Sequence, residues 1–137
     1  MSEEKILLDH GSGGKLSHAL FTDLILPLFK SRELSVQDDG AVLDFGGQKL
    51  AFSTDSYVVD PVFFPGGNIG DLAVNGTVND IAMCGAVPQV ISVGLIIEEG
   101  FLIKELKQIL ESMAEAAARA GVKIVTGDTK VVPRGKA

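Results

Sequence analysis

The stretch between residues 50 and 71 constrains the fold and the chemistry more than any other part of the sequence. An apolar strand ends abruptly in Ser53, Thr54 and Asp55. A segment with two prolines and two glycines follows, and a helix begins near Asn68. Hydroxyl and carboxylate oxygens at the end of a rigid strand are the hard ligands that divalent metal ions and phosphates prefer. The stretch therefore predicts a metal or phosphate site at this strand end.

The predicted helix 69–84 carries polar residues through an otherwise apolar sequence. At about 100° per residue, Asp71 and Asn79 fall within one arc of roughly 80°, whereas Asp80 lies about 180° from Asp71 among apolar neighbours. A carboxylate there is costly unless a cation, a cap or a ligand compensates it, so we interpret Asp80 as the functional acid. Gly76, one turn earlier, is expected to leave room for a ligand. The alternative is that Asp80 makes an ordinary structural contact.

A predicted hairpin brings two acidic segments of the chain close together. Strand 41–45 and its neighbour 49–54 are joined by a glycine pair, so the start of the first strand lies beside the end of the second. Asp38 and Asp39 precede the first strand, and Asp55 follows the second. This favours a divalent-cation site, although the two aspartates are equally typical of a simple turn.

The C-terminal half predicts a scaffold with one further acid. A strand over 90–97 is followed by an amphipathic helix over 103–120 and a second strand over 122–126. Asp128 and Thr129 come directly after that second strand, which is the same pattern of an acid and a hydroxyl at a strand end.

A glycine-rich loop precedes the first predicted helix, which spans 16–29. Three glycines at positions 11, 13 and 14 with Lys15 can wrap backbone N–H groups around an anion. The spacing does not match the phosphate loop of nucleoside triphosphatases. On the residues alone, a plain mobile loop that leads into a helix is the slightly better interpretation.

Composition excludes several classes of protein. The 137 residues suit one domain, and 46% hydrophobic residues with a mean hydropathy of +0.30 suggest apolar surface buried against a second domain or a second copy. A net charge of −6 argues against nucleic acid as a partner, and no apolar stretch is long enough for a bilayer. A single cysteine, Cys84, and an N-terminus without an apolar signal core favour the cytoplasm.

Taken together, the motifs resemble a known superfamily of ATP-dependent enzymes. It contains aminoimidazole ribonucleotide (AIR) synthetase (PurM), selenophosphate synthetase and thiamine-monophosphate kinase. The segments that carry this resemblance are Asp39 with 41–43 (AVL), 52–57 (FSTDSY), 79–82 (NDIA) and 126–129 (TGDT). Three segments are similar to the hydrogenase maturation proteins of the HypE type: 10–14 (HGSGG), 60–70 (DPVFFPGGNIG) and 126–132 (TGDTKVV).

The resemblance implies the fold and the site. The fold would be an α+β, PurM-like N-terminal domain for ATP binding and dimerisation that spans 1–137. A mixed or antiparallel four-stranded sheet would carry helices on one face, and the sheets of a homodimer would pair into a barrel. Magnesium would be held by Asp39, Asp55, Asp80 and Asp128, with Asp80 also catalytic. ATP would contact Gly11, Gly13, Gly14, Lys15, Ser53, Thr54, Asn79, Gly127 and Thr129.

The resemblance also implies an activity. HypE-type enzymes use ATP to dehydrate a carbamoyl group on their own C-terminal cysteine to a thiocyanate, which supplies the cyanide of the iron in nickel–iron hydrogenase. A HypF-like carbamoyltransferase would supply the carbamoyl group, and a HypC–HypD-like complex would receive the cyanide. The chain ends at Ala137 without that cysteine or a second domain. We therefore expect it to bind ATP weakly, to dimerise and not to complete turnover.

Two other functions stay open at this point. One is a different enzyme of the superfamily, a selenophosphate or AIR synthetase, which shares the acids but not the 60–70 segment. The other is a non-catalytic module that only dimerises or docks partner proteins.

Overall fold

Two long helices and a parallel pair of strands form the centre of the fold. In the computed structural model, which describes residues 5–137, helix α3 (Ile69–Met83) is followed by strand β5 (Val90–Glu98), helix α4 (Ile103–Ala120) and strand β6 (Lys123–Val132). Strands β5 and β6 are parallel, so α4 is the crossover helix that such a pair requires. The predicted bounds of α3, β5 and α4 are confirmed to within one residue.

The core lies where α3 and α4 pack on one face of the β5–β6 pair. Its buried side chains include Val74 of α3, Met113 of α4 and Val122 before β6, together with two alanines of α4. The small side chains let the helices approach closely: a β-carbon on Gly70 of α3 would collide with the backbone carbonyl of Ile109 in α4. Both helices therefore contribute to one core, against which Ile91 and Val93 of β5 also pack.

The remaining strands form separate two-stranded ladders. Strand β1 (Ala41–Phe45) pairs antiparallel with β2 (Gln48–Phe52) through a turn in which Gly46 and Gly47 have positive φ, as the hairpin prediction required. Two short strands, β3 (Phe63–Phe64) and β4 (Gly67–Asn68), form a second antiparallel ladder. Within residues 5–137 no four-stranded sheet is formed, because the β1–β2 and β5–β6 ladders share no strand-to-strand hydrogen bonds.

The predicted helix 16–29 is present but irregular. It consists of α1 (Lys15–Ala19), a π-helical turn (Leu20–Ile25) and α2 (Leu26–Phe29). Pro27 explains the wide turn, because its ring would clash with the carbonyl four residues earlier in a regular α-helix. The N–H of Leu26 accordingly donates to the carbonyl of Phe21, five residues back. Short 3-10 helices also span Leu8–Gly11 and Leu34–Val36.

Strand β6 is longer than predicted and continues beyond position 126 to Val132. It does so because β5 supplies a partner along its whole length, with one register shift between Ile91 and Ser92.

The residues after β6 contact the end of β5. The carboxylate of Glu98 accepts the N–H of Ala137 at 3.2 Å, and the backbone N–H groups of Gly135 and Ala137 hold the pKa of Glu98 below its usual range. The N-terminus predicted to lack a signal peptide includes residues 1–4, which lie outside the described residues.

Candidate functional site

Helix α3 carries two acids, Asp71 and Asp80, and the hydrogen bonds at its start give a capping role to Asp71 alone. Asn68 accepts the N–H of Gly70 at 2.8 Å, and Asp71 accepts the N–H of Asn68 at 3.2 Å. Arg119 of α4 lies 3.4 Å from the other oxygen of Asp71. Asp71 is thus a capping residue that fixes the helix. Asp80, in the last turn of the same helix, is free to face a different surface.

Three of the predicted acids converge beside Ser53. The hydroxyl of Ser53 donates to the backbone carbonyl of Asp39 at 2.9 Å and lies 3.4 Å from Oδ2 of Asp80. A hydroxyl has one proton, so these two acceptors share it and the shorter contact to Asp39 is the stronger one. Asp55 stands close enough for its charge to act on Asp80. The hairpin and the end of α3 therefore bring together residues that are far apart in the chain, and we call Asp39, Asp55 and Asp80 the acid cluster.

The acid cluster is strongly electronegative. Burial raises the pKa of Asp80, and the negative charges of Asp55 and then Asp39 raise it further, while the hydroxyl of Ser53 opposes them. None of the ion pairs formed within residues 5–137 supplies a lysine or arginine to these three carboxylates. Their charge therefore remains available to an external cation.

Tyr57 is the residue of this site that the sequence analysis missed. Its hydroxyl donates to Oδ2 of Asp55 at 2.7 Å and lies 3.4 Å from Oγ1 of Thr77. Burial first, and then the hydrogen bond to Asp55, raise the pKa of Tyr57 to about 12. The signal was its position two residues after Asp55, since alternate residues of an extended segment point to the same side.

Gly76 has a different role from the one predicted. A β-carbon at this position would collide with the hydroxyl and ring of Tyr57. The glycine therefore makes room for a side chain of the same protein, and the prediction that it leaves space for a ligand was wrong. The residue that fills the space is Tyr57.

Asp128 lies apart from the acid cluster in hydrogen bonding. It stands in β6 opposite Gly94, not after a strand end as predicted, and pairs with Lys130 at 3.0 Å. Together with Gly127 and Thr129 it lines a cavity of about 350 Å³ under α4. No hydrogen bond or ion pair of the described chain links Asp128 to the acid cluster. Gly127 has a packing role as well, because a β-carbon there would collide with the carbonyl of Val93.

The glycine-rich loop is held by its own hydrogen bonds. The N–H of Gly13 donates to Oγ of Ser17 at 2.9 Å, and the carbonyl of Gly14 accepts the N–H of His18 at 3.0 Å. Gly11 and Lys15 are exposed, as are Thr54 and Asn79 on their own segments. Across residues 5–137 no hydrogen bond joins this loop to the acid cluster.

Cys84 lies at the end of α3 against the start of the hairpin. A β-carbon on Gly40 would stand 3.0 Å from its sulfur, so the thiol is packed against backbone. Burial and the negative charges of Asp38 and Asp39 raise the pKa of the thiol. A raised pKa keeps the thiol protonated at neutral pH, which is typical of a cysteine that packs and does not react.

Two further observations concern metal binding and membrane-spanning helices. Among the residues that the structure describes, no group of three or more histidine, cysteine, aspartate or glutamate side chains has the geometry to hold a metal ion unaided. None of the helices in this part of the chain is long and apolar enough to cross a membrane.

Comparison with known proteins decides the family. Residues 37–137 match the family model described as AIR synthase related protein, N-terminal domain. The chain belongs to the AIR synthase related family. Its matched region begins just before Asp39 and includes the whole acid cluster, Tyr57 and β6.

Curated members of this family with about half of their residues identical are HypE proteins. The chain is 53% identical over 135 residues to carbamoyl dehydratase HypE of Escherichia coli (strain K12), covering 95% of this chain and 40% of that protein. It is also 53% identical over 130 residues to carbamoyl dehydratase HypE of Bradyrhizobium diazoefficiens, covering 95% and 38%. The resemblance to HypE-type proteins is confirmed, and the chain spans about two fifths of the length of these relatives.

Solved structures confirm the α+β, PurM-like fold. A HypE–HypF complex matches with a TM-score of 0.80 and 50% identity, covering 87% of this chain and 38% of that one. HypE in complex with ATP matches with a TM-score of 0.64 and 56% identity, covering 97% and 39%. A thiamine-monophosphate kinase complexed with AMPPCP and TMP, 19% identical over 96% of this chain and 41% of that one, shares the fold with a TM-score of 0.75.

Proposed function

We propose that the chain forms the N-terminal, ATP-binding half of a HypE-type carbamoyl dehydratase. The observation that carries this proposal is the convergence of Asp39, Asp55 and Asp80 beside Ser53. Support comes from the half-identical HypE relatives, one of which has been solved with ATP.

The acid cluster fits the magnesium ion that accompanies ATP. Magnesium prefers hard oxygen ligands and usually takes one or two carboxylates, with phosphate oxygens and waters completing its shell. Such a site needs no closed cage of protein ligands, and among the described residues no group of three or more such side chains is preformed to hold a metal ion. The uncompensated charge around Asp80 provides the attraction, so we propose Asp39, Asp55 and Asp80 as ligands.

The other predicted contacts rest on the resemblance. We propose Ser53, Thr54 and Asn79 as nucleotide contacts beside the acid cluster. Asp128, as a further magnesium ligand, and Gly127 and Thr129, as nucleotide contacts, form a second group at β6. Gly11, Gly13, Gly14 and Lys15 form a third group in the N-terminal loop.

The chemistry accounts for the need for a magnesium-bound triphosphate. The oxygen of a carbamoyl group is a poor leaving group, and transfer of the γ-phosphoryl of ATP to that oxygen makes it a good one. Loss of phosphate and of the protons on nitrogen then leaves a thiocyanate on sulfur. Bound magnesium would spread the charge of the triphosphate and orient it for attack. The residues of the acid cluster would contribute by binding and orienting that ion, and we propose Asp80 as the catalytic acid among them.

The 137 residues are proposed to bind the nucleotide without completing turnover. Their single cysteine, Cys84, is packed at the end of α3, whereas the reaction requires a mobile cysteine to carry the carbamoyl group. For the whole protein we propose a HypF-like carbamoyltransferase and a HypC–HypD-like complex as partners. A solved HypE–HypF complex supports the first of these.

Calorimetry with ATP and Mg²⁺ tests the nucleotide site. We expect Asp80→Asn to weaken binding of magnesium–ATP by about tenfold or more, because a ligand to the metal is lost. Glu111→Gln, an exposed acid on α4 that pairs only with Lys107, is the matched control and should bind like the wild type. Equal binding by Asp80→Asn and the wild type, or no binding by either, would overturn the proposed function.

A further inference from the structure

The hydroxyl of Tyr57 has a single strong acceptor, and that acceptor belongs to the acid cluster. At 2.7 Å, its contact with Oδ2 of Asp55 is short enough for a charge-assisted hydrogen bond. The contact with Thr77 is longer, 3.4 Å, and the proton of Thr77 already goes to the carbonyl of Ala73 at 2.9 Å. The one proton of Tyr57 is therefore directed to Asp55.

The position of Tyr57 is set by the helix against which it lies. Its hydroxyl and ring occupy the space above Gly76, in the middle of α3, where a β-carbon would not fit. The same helix carries Asp80 one turn later. One rigid element thus determines both the location of Asp80 and, through Tyr57, the orientation of the Asp55 carboxylate.

We propose that Tyr57, seated on Gly76, is a positioning residue that aims the Asp55 carboxylate at the cation bound beside Asp80. This inference rests on the proposed function and adds to it a residue that would contact neither metal nor nucleotide. Side chains that orient a metal ligand in this way commonly change metal affinity by about 10-fold to 100-fold when they are lost. Gly76 is needed because any larger residue removes the place where the tyrosine rests.

Two substitutions should disturb the orientation of the Asp55 carboxylate by different routes. Tyr57→Phe deletes the hydroxyl and keeps the ring, whereas Gly76→Ala keeps the hydroxyl and displaces the ring. In a helix without such a contact, replacement of glycine by alanine is otherwise stabilising. Ser112→Ala is the control for a general loss of stability. It removes a 2.7 Å hydrogen bond to Asn68 at the start of α3, whereas Asp80 lies in the last turn of that helix.

The experiment is a titration of the 137-residue chain with Mn²⁺ at a fixed ATP concentration. Electron paramagnetic resonance measures the free Mn²⁺ at each step, and thermal unfolding is measured on the same samples. We expect Tyr57→Phe and Gly76→Ala to raise the dissociation constant for Mn²⁺ about tenfold or more. Saturating Mn²⁺ should restore wild-type affinity for ATP in both variants, since only the metal ligand is misplaced. Ser112→Ala should lower the melting temperature and leave the Mn²⁺ constant unchanged.

Different failures point to different conclusions. If the wild type binds Mn²⁺–ATP and Tyr57→Phe binds it equally well, the positioning role is wrong and the proposed function stands. The positioning role is also wrong if Ser112→Ala weakens Mn²⁺ binding as much as Tyr57→Phe, or if excess metal does not restore ATP affinity. If the wild type binds no Mn²⁺–ATP at all, both the role of Tyr57 and the proposed function fail.

Discussion

Asp80 shows how a carboxylate that we propose as a metal ligand can weaken the ligand-free protein. Burial and the charges of Asp55 and Asp39 all raise the pKa of its carboxyl. Its ionised form is therefore less stable in the folded chain than in the unfolded one. A divalent cation would reverse this balance by bringing positive charge to the same place.

Replacing Asp80 should consequently stabilise the ligand-free chain. Because the folded pKa is raised, the folded state binds more protons between the unfolded and folded pKa values, so the free energy of unfolding falls as pH rises through that interval. Asp80→Asn removes this loss, and we expect a gain on the order of 1 kcal/mol at pH 7, kept small because solvent still reaches this partly buried group and screens its charge. Below the unfolded pKa, where the carboxyl is neutral in both states, the gain should disappear.

Urea unfolding of the wild type and Asp80→Asn across that pH range measures the difference. Glu111→Gln serves again as the control, since its carboxylate is exposed and paired with a lysine. A variant that is less stable than the wild type at pH 7 would contradict the electrostatic description of the acid cluster.

The elements of the fold differ in how far the sequence could predict them. Helix α4 was placed at its observed bounds because its apolar residues recur at helical spacing over five turns. The end of β6 was missed, because Gly127 and Asp128 are typical of turns and only pairing with β5 keeps them extended. Periodicity predicts an element, whereas its length depends on a partner that is distant in sequence.

The close contact between α3 and α4 can be tested with a single methyl group. A β-carbon on Gly70 would collide with the carbonyl of Ile109, which is backbone and cannot rotate away. We expect Gly70→Ala to lower the free energy of unfolding by about 1–3 kcal/mol. Gly11→Ala adds the same atom where nothing lies within 4 Å and should be neutral. Thermal unfolding compares the two, and an equal effect would contradict the packing argument.

For the whole molecule, the sequence predicted only part of how the four candidate acids are arranged. Asp39 and Asp55 were placed together by the hairpin, and α3 brings Asp80 to them through Ser53. Asp128 stays without a hydrogen bond to them, and no local pattern could reveal this, since it depends on how the β1–β2 and β5–β6 ladders are arranged. Tyr57 was missed for the same reason, because its position depends on contact with Gly76, 19 positions later in the chain.

The same separation of ladders leaves an apolar face uncovered on the β1–β2 hairpin. Residues that alternate along the two strands put Leu43, Phe45, Leu50 and Phe52 on one side, and Phe45 and Phe52 are 62% and 63% exposed. Soluble monomers rarely leave such a face open to water. We propose that a second copy of this chain covers it, as the resemblance implied.

Sedimentation velocity tests this homodimer. At micromolar concentration we expect a particle of twice the 14.4 kDa chain mass, and Leu50→Glu should shift it to the monomer, because a buried carboxylate at the centre of the face has no partner there. Ile103→Glu places the same charge on α4, at a position that is 84% exposed, and should leave the dimer intact. A monomeric wild type, or dissociation by both substitutions alike, would mean that the hairpin face is not where two copies meet.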